Sequence, residues 1–282
     1  MSETIQEKTG SLNDILKMVN RANETFAYEV FVPSLNKNVM FREINTSQQK
    51  RILKAVIDSP AYNTEFIFAL RNVIKENCVD DVNVDNFTIL DKMIIAMTMR
   101  AMSISNDLDL QFQIPDSEEK ITRRINLKSL AAEAVEKIKI EPISIKDEKD
   151  VFEIICGLPT ISDEYNLQNE LHKNTSSIEI KNEKELRETV GEVFTNEIVK
   201  YIRQINVKNE KNEVNQIDLK NLKYKDRIAI LEQLSAKVTN KIIDYINSIN
   251  KEFEKVLLFT EEIKGKKIEQ RLKIDSSFFT VS

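Results

Sequence analysis

The sequence predicts an α+β protein that is predominantly helical, with a central β-hairpin region and a C-terminal helical pair closed by a β-hairpin. Apolar residues recur at three- and four-residue spacing over most of the chain, which is the period of a helix with one buried face. The spacing falls to two between residues 108 and 145, and again in the two runs that close the chain at residues 256–274. Four glycines and five prolines are too few for an all-β protein with many tight turns.

Polar stretches and changes of period divide the 282 residues into four predicted segments. Residues 1–24 are expected to form an N-terminal arm with a short amphipathic helix, and residues 25–107 a hairpin plus three helices. Residues 108–180 are expected to form a central β-rich region. Residues 181–282 complete the chain as a C-terminal helical region with a terminal β-hairpin, and the polar run at 173–181 is the best candidate for a boundary.

The arm begins with the spacing of a capping box, Ser11 followed by Asp14, and then carries an apolar stripe. The stripe consists of Leu12, Ile15, Leu16 and Val19. Such a stripe has two explanations: the helix packs on its own domain, or it docks in a groove of a partner subunit. The sequence leaves both open, and the four residues form the first candidate interface.

Residues 27–41 alternate loosely around a polar turn and predict a β-hairpin. Its first strand is expected at a sheet edge, because Pro33 has no N–H to donate to a ladder. An edge strand can accept a strand from a partner. The second candidate interface is therefore this hairpin, through Val32, Pro33, Val39 and Phe41.

Helix starts are predicted at two further capping boxes, Thr46 with Gln49 and Thr88 with Asp91. Apolar spacing predicts helices in six places: residues 46–59, 64–74, 88–101, 162–172, 186–205 and the consecutive pair 226–234 and 236–253. Residues 108–127 predict a hairpin, and the alternation at 138–145 is consistent with more strand. The polar run 207–215 predicts a solvent-exposed connection.

The sequence predicts no catalytic, cofactor-binding or metal-binding residue. Its adjacent acids fall in predicted turns or strand ends, where carboxylates are solvated: Asp80–Asp81, Glu118–Glu119 and Glu261–Glu262. The one histidine, His172, falls at a helix end, where a cation favours the helix dipole. Cys78 and Cys156 are too few for a four-cysteine zinc site and are expected to be buried thiols. Glycine loops for phosphate and nucleophile elbows do not occur.

The charge pattern disfavours nucleic acid as a partner. The net charge is −5, with 41 basic and 46 acidic residues mixed along the chain. The densest basic patch, Arg123–Arg124 with Lys120 and Lys128, favours a solvated strand face over a site for phosphate or an acidic partner. The N-terminus lacks the pattern of a secretory signal, and no apolar run is long enough to span a bilayer, so we expect a cytosolic product without a membrane partner.

The order of several segments resembles the T4-like bacteriophage baseplate hub protein family. These are VFVPSLNKNVMFREINTSQQKRILKAV at residues 30–56, NVIKENC at 72–78, FTILDKMIIAMTMRAMSISNDLDL at 87–110, ICGLPTISD at 155–163, DLKNLKYKDRIAILEQLSAKVTNKIIDYI at 218–246 and IEQRLKIDSSFFTVS at 268–282. Some relatives carry cysteine pairs near the central β-region that suit zinc, whereas only Cys156 stands there in this chain. The resemblance therefore implies no metal and transfers no functional residue.

The resemblance implies a structural component of a contractile-tail baseplate, at or near the hub, that docks on other proteins without catalysis. Its expected partners are hub, wedge or tape-measure components, and its expected location is the virion tail baseplate after assembly in the host cytoplasm. Two alternatives remain open at this point: an assembly chaperone absent from the mature virion and, less favoured, a tail-associated hydrolase.

Overall fold

The structure is a computed structural model that describes residues 11–58, 64–114, 117–149, 151–175, 194–195, 197–209, 213–263 and 265–280. The helices of nine or more described residues are α1 Leu12–Thr25, α2 Thr46–Asp58, α3 Thr64–Asn77, α4 Ile89–Ser103, α5 Leu127–Lys137, α6 Ile161–Thr175, α7 Tyr224–Glu232 and α8 Ala236–Leu257. The strands are β1 Ala27–Val32, β2 Lys37–Arg42, β3 Asp107–Gln113, β4 Lys120–Asn126, β5 Ile143–Lys146, β6 Phe152–Cys156, β7 Ile202–Lys208, β8 Val214–Asp218, β9 Leu258–Ile263 and β10 Lys266–Arg271.

The strands form four antiparallel sheets in the described part of the chain. Three are two-stranded hairpins, β1–β2, β3–β4 and β9–β10, and the fourth has the strand order β5-β6-β7-β8. The prediction of a predominantly helical chain with β-structure only in restricted regions is wrong. The described residues form a mixed structure whose strands extend from Ala27 to Arg271.

Strand β7 is the main reason for that error. Its sequence IRQINVK places apolar residues three apart, a spacing that predicted a helix through Ile205. Pairing with β6 overrides this local spacing, because Ile205 lies opposite Ile154 and completes a ladder. The predicted exposed connection at 207–215 is likewise wrong at both ends, since β7 continues to Lys208 and β8 begins at Val214, and the two strands pair as a hairpin. Residues 194–195 and 197–199 of the predicted helix are helical, and residues 186–193 lie outside the described residues.

Helix α5 was also missed, because Leu127 continues the two-residue spacing of β4. The Asn126 side chain ends the strand, since its Oδ1 accepts from the Ser129 amide at 2.9 Å and caps the helix. The buried face then follows helical spacing through Leu127, Leu130, Ala131 and Ala134. The asparagine cap after β4 is therefore the sequence signal for this helix, whereas the spacing of apolar residues does not distinguish its start from a continued strand.

The predicted capping boxes are confirmed at Ser11 and at Thr88, and the third is wrong by one residue. At the start of α2, Asn45 Oδ1 accepts from the Gln48 amide at 2.9 Å and Gln48 Oε1 accepts from the Asn45 amide at 3.0 Å. Gln49, which sequence spacing assigned to the cap, instead donates from Nε2 to the Phe279 carbonyl at 2.9 Å. This side chain ties the helix to the C-terminal residues. The three predicted hairpins are also confirmed, with the registers of β1–β2, β3–β4 and β9–β10.

One cluster of buried apolar side chains extends through the described residues from Tyr28 to Phe279. Helix α4 lies within it, and Ile95, Ala96, Met97 and Met99 are fully buried on several of its faces. Packing of α3 on α6 and of α5 on α8 crosses the predicted segment boundaries. The predicted division of the chain into domains stays a prediction, but its segments share this core.

Arg100, at the C-terminal end of α4, is the largest fully buried side chain of the described residues. Its Nε donates to the Phe278 carbonyl at 2.5 Å, and Nη1 donates to the carbonyls of Ser105 and Asp107 at 2.7 and 3.2 Å. No carboxylate of the described residues pairs with it; backbone oxygens alone accept its protons. Because one accepting segment is the 3₁₀ turn Ser276–Phe279, this guanidinium holds the C-terminal end of the described chain against α4.

Replacing Arg100 by methionine tests this anchor. Arg100→Met keeps an apolar stem but leaves buried carbonyls without donors, so we expect the free energy of unfolding to fall by about 2–4 kcal/mol in urea titrations. Arg124→Met is the control, since the Arg124 side chain is 71% exposed and its loss should cost less than about 0.5 kcal/mol. Equal losses in the two variants would contradict an anchoring role.

Candidate functional site

The apolar stripe of α1 is exposed. Leu12, Ile15, Leu16, Met18 and Val19 are between 49% and 73% exposed, although the helix has a complete capping box at Ser11. The explanation that the stripe packs on its own domain therefore has no support in the described residues. A contiguous exposed apolar face of this kind is typical of a surface that a partner covers.

The residues of the second candidate interface lie mostly inside the molecule. Val32, Val39 and Phe41 are fully buried, and Pro33 is partly buried at the start of a 3₁₀ turn. The outer edge of β2 is also occupied, because Asp80 Oδ2 accepts from the Met40 amide at 3.0 Å and the Val79 amide donates to the Met40 carbonyl at 2.9 Å. No strand of the described residues pairs with the outer edge of β1, but the three buried side chains cannot contact a partner strand there.

Beside this hairpin, two helices begin with the same four-residue pattern, Thr-Ile-x-Asp. In α4 the pattern is Thr88 to Asp91, and in α6 it is Thr160 to Asp163. Each threonine amide donates to the aspartate Oδ2, at 2.6 Å for Thr88 and 2.8 Å for Thr160. The two turns form an antiparallel bridge, in which the Ile89 amide donates to the Pro159 carbonyl at 2.9 Å. The starts of α4 and α6 are thereby fixed side by side.

Each aspartate of this double turn also holds a second part of the chain. Asp91 is fully buried, and its Oδ1 accepts from the Ser34 amide at 3.0 Å, which positions the tip of the β1–β2 hairpin. Asp163 is 5% exposed and accepts from Arg203 Nη1 at 2.5 Å and from Arg227 Nη1 at 3.2 Å. One carboxylate thus joins α6 to β7 and α7.

The charge of Asp163 is stabilised by these partners. Burial by itself raises the pKa of the carboxyl, but the Arg203 charge and the hydrogen bonds from Thr160 outweigh burial and hold the pKa below its usual range. Arg227 completes its own hydrogen bonding with the carbonyls of Leu222 and Lys220 at 3.3 and 3.4 Å. Sequence reasoning missed this cluster, although the repeated Thr-Ile-x-Asp pattern was a signal for it.

A cleft of 670 Å³ lies over the double turn. Its walls include the hairpin tip at Pro33 and Ser34, Thr88 of the first turn, and Leu158 and Thr160 of the second. Lys220 also lines the cleft, so four of the segments that resemble the baseplate family meet at one place. Among the described residues that line the cleft, the single carboxylate is Glu141, so no pair of acids faces a common point there.

The other residues considered for chemistry lie apart from this cleft. Asp81, Glu118 and Glu262 are exposed, and Glu261 pairs with Arg123 at 2.9 Å. Arg124 pairs with Asp109, so both arginines of the predicted basic patch have acidic partners. His172 belongs to α6, and its side chain lies outside the described residues.

The thiols and potential metal ligands give the same picture in the part of the chain that the structure describes. Cys156 is buried, and burial raises the pKa of its thiol to about 12, which keeps it protonated. Cys78 is partly buried and also free. No group of three or more histidine, cysteine, aspartate or glutamate residues is placed to hold a metal ion among the described residues. Nor does any described helix have the length and apolar character needed to cross a membrane.

These features, an exposed helical stripe on a firmly joined mixed α+β body, are typical of a protein that assembles with other proteins. Comparison with protein families gives the particular assembly: the family described as T4 bacteriophage base plate protein matches residues 24–273. The chain belongs to this family, which confirms the resemblance seen in the sequence at the level of a baseplate protein. No curated protein and no solved structure matches the chain. The match begins at residue 24, so the exposed stripe of α1 precedes the matched region.

Asp163→Asn tests the joining role of the buried carboxylate. The amide keeps the shape but leaves two arginines without a counter-charge, so we expect unfolding in urea at pH 7 to show a loss of about 3–5 kcal/mol. Because the folded-state pKa lies below the unfolded-state value, this stabilisation is complete above the unfolded-state pKa and is lost as the pH falls through the folded-state pKa. The difference between wild type and variant should therefore shrink from pH 7 towards roughly pH 3.

The control for that experiment is Asp81→Asn, at an exposed acid. It should leave the unfolding free energy within about 0.5 kcal/mol of wild type at both pH values. A difference between Asp163→Asn and wild type that does not depend on pH would contradict the assignment.

Deleting residues 1–24 tests whether the body folds without the arm. Because the α1 side chains are exposed, we expect the truncated chain to unfold cooperatively, with an unfolding free energy within about 1 kcal/mol of the full chain. Circular dichroism should show only the loss of one helix. A collapse of the whole spectrum would instead mean that α1 packs on its own domain.

Proposed function

We propose that this baseplate-family protein is a structural subunit of a contractile tail, placed at the hub or next to it, and that it acts by docking on other subunits without catalysis. The observation that carries the proposal is the exposed stripe of α1. Together with Met18 it presents five large apolar side chains that the described chain does not cover. An amphipathic helix of this kind docks by laying its stripe in an apolar groove. The proposed partners are hub, wedge or tape-measure components.

The use of buried polar groups supports a structural role. Asp91, Asp163, Arg100 and Arg227 are all buried, and each is committed to hydrogen bonds that join distant parts of the chain. Groups used in this way stabilise one arrangement of the body. The proposed role needs such a body, because an arm can position a partner only when the body that carries it is rigid.

The first test is the composition of the particle. We expect mass spectrometry of purified virions to detect the chain in a fixed ratio to other baseplate proteins, after synthesis and assembly in the host cytoplasm. Detection only in assembly intermediates from infected cells, with absence from mature particles, would reject the structural role and support an assembly chaperone.

The second part of this test concerns the arm. Ile15→Glu/Val19→Glu places two charges on the stripe, one helical turn apart, and we expect incorporation into particles to fall about tenfold or more. Asn13→Glu/Asn20→Glu adds the same charge at polar positions of the same helix and should leave incorporation within about twofold of wild type. Equal incorporation of both variants would contradict docking through the stripe.

A further inference from the structure

A second, smaller cleft lies between α6 and α7. It has a volume of 320 Å³, and its lining includes Lys220, Lys223, Lys225, Arg227 and Glu170. The 3₁₀ turn Leu219–Asn221 leads directly into α7, so the three lysines follow one another along a single turn and helix start. Three exposed lysines and the buried Arg227 therefore line one short region of surface, with Glu170 as the one acid of the lining.

The lysines of this cleft carry uncompensated charge. Lys220, Lys223 and Lys225 are exposed, and none of them forms an ion pair with a described residue. Elsewhere in the described chain many cations are paired, as Arg71 is with Asp85 at 2.8 Å. The whole chain has a net charge of −5, so the charge of this cleft is opposite in sign to that of the chain as a whole. The cleft is a local positive site on an acidic protein.

The cations are held on a rigid frame. Arg227 is 5% exposed, and its guanidinium binds Asp163 on one side and the carbonyls of Lys220 and Leu222 on the other. The Lys220 amide in turn donates to Asp218 Oδ1 at 2.9 Å. The backbone that carries the lysines is thus fixed from both ends, so binding a ligand there orders only the lysine side chains.

We propose that this cleft binds an acidic peptide segment of a neighbouring subunit. Charge complementarity favours neighbouring carboxylates, because the ammonium groups at positions 220, 223 and 225 can each pair with one. The start of α7 adds the partial positive charge of a helix N-terminus, which the first-turn acid Asp226 offsets in part. A long nucleic acid is disfavoured, because the acidic remainder of the surface repels a phosphate backbone. The origin of the segment, a baseplate neighbour, rests on the proposed function, but the chemistry of the cleft does not.

Fluorescence anisotropy with a labelled decaglutamate peptide tests the chemistry on the full chain. We expect the wild type to bind the peptide with an affinity that falls as salt is added. Lys223→Glu/Lys225→Glu should weaken binding about tenfold or more. The matched control is Lys54→Glu/Lys251→Glu, which makes the same change of charge at exposed lysines of α2 and α8, outside the cleft, and should stay within about twofold of wild type.

Unfolding curves of both double variants check that each variant is folded. We expect a cooperative transition from each, because all four lysines are exposed. Equal weakening in both variants, or none in either, would overturn the proposal. Tighter binding of an oligothymidylate of the same length, lost in the Lys223/Lys225 variant, would also overturn it in favour of nucleic acid.

The outcomes separate this inference from the proposed function. If the chain is present in virions but its cleft variant binds peptide like wild type, the cleft inference alone fails. If the peptide result holds and the chain is absent from virions, the structural role fails and the acidic-peptide site remains.

Discussion

A buried carboxylate is stable only when several donors surround it, and in this protein Asp163 receives donors from three parts of the chain. The Thr160 amide donates to it at the start of α6, Arg203 donates from β7, and Arg227 donates from α7. Strand β7 of the four-stranded sheet and helix α7 are therefore both joined to α6 through one charged group. The bridge between the two Thr-Ile-x-Asp turns joins α6 to α4, and Asp91 joins α4 to the N-terminal hairpin.

Arg100 does the same at the other end of α4, with carbonyl oxygens in place of a carboxylate. It holds the turn at Ser276–Phe279, while Gln49 holds the same turn from α2. Backbone carbonyls are its acceptors among the described residues, so removing an accepting segment would leave buried N–H groups of Arg100 without partners. The C-terminal turn is thereby held to both α4 and α2.

The surfaces proposed for docking contrast with this interior. The stripe of α1 and the lysines of the α6–α7 cleft are exposed, yet each is attached to a part of the chain whose backbone is fixed, the stripe through β1 and the lysines through Arg227. One surface is apolar and the other cationic, so they suit partners of different chemistry. The family match covers the cleft but begins after most of α1.

Local signals in the sequence determined the hairpins at both ends, the capping boxes at Ser11 and Thr88, and the apolar stripe of α1, because each depends on residues a few positions apart. The same local signals were wrong at β7 and α5, where pairing with a distant strand and a single asparagine cap decided the element. The burial of Val32, Val39 and Phe41, the joining role of Asp163 and the anchoring by Arg100 were decided only in the tertiary structure. Asp163 lies 40 and 64 residues from its two arginines, and Arg100 lies 178 residues from the Phe278 carbonyl. No periodicity in the sequence records such separations; they are set by which surfaces pack together when the core forms.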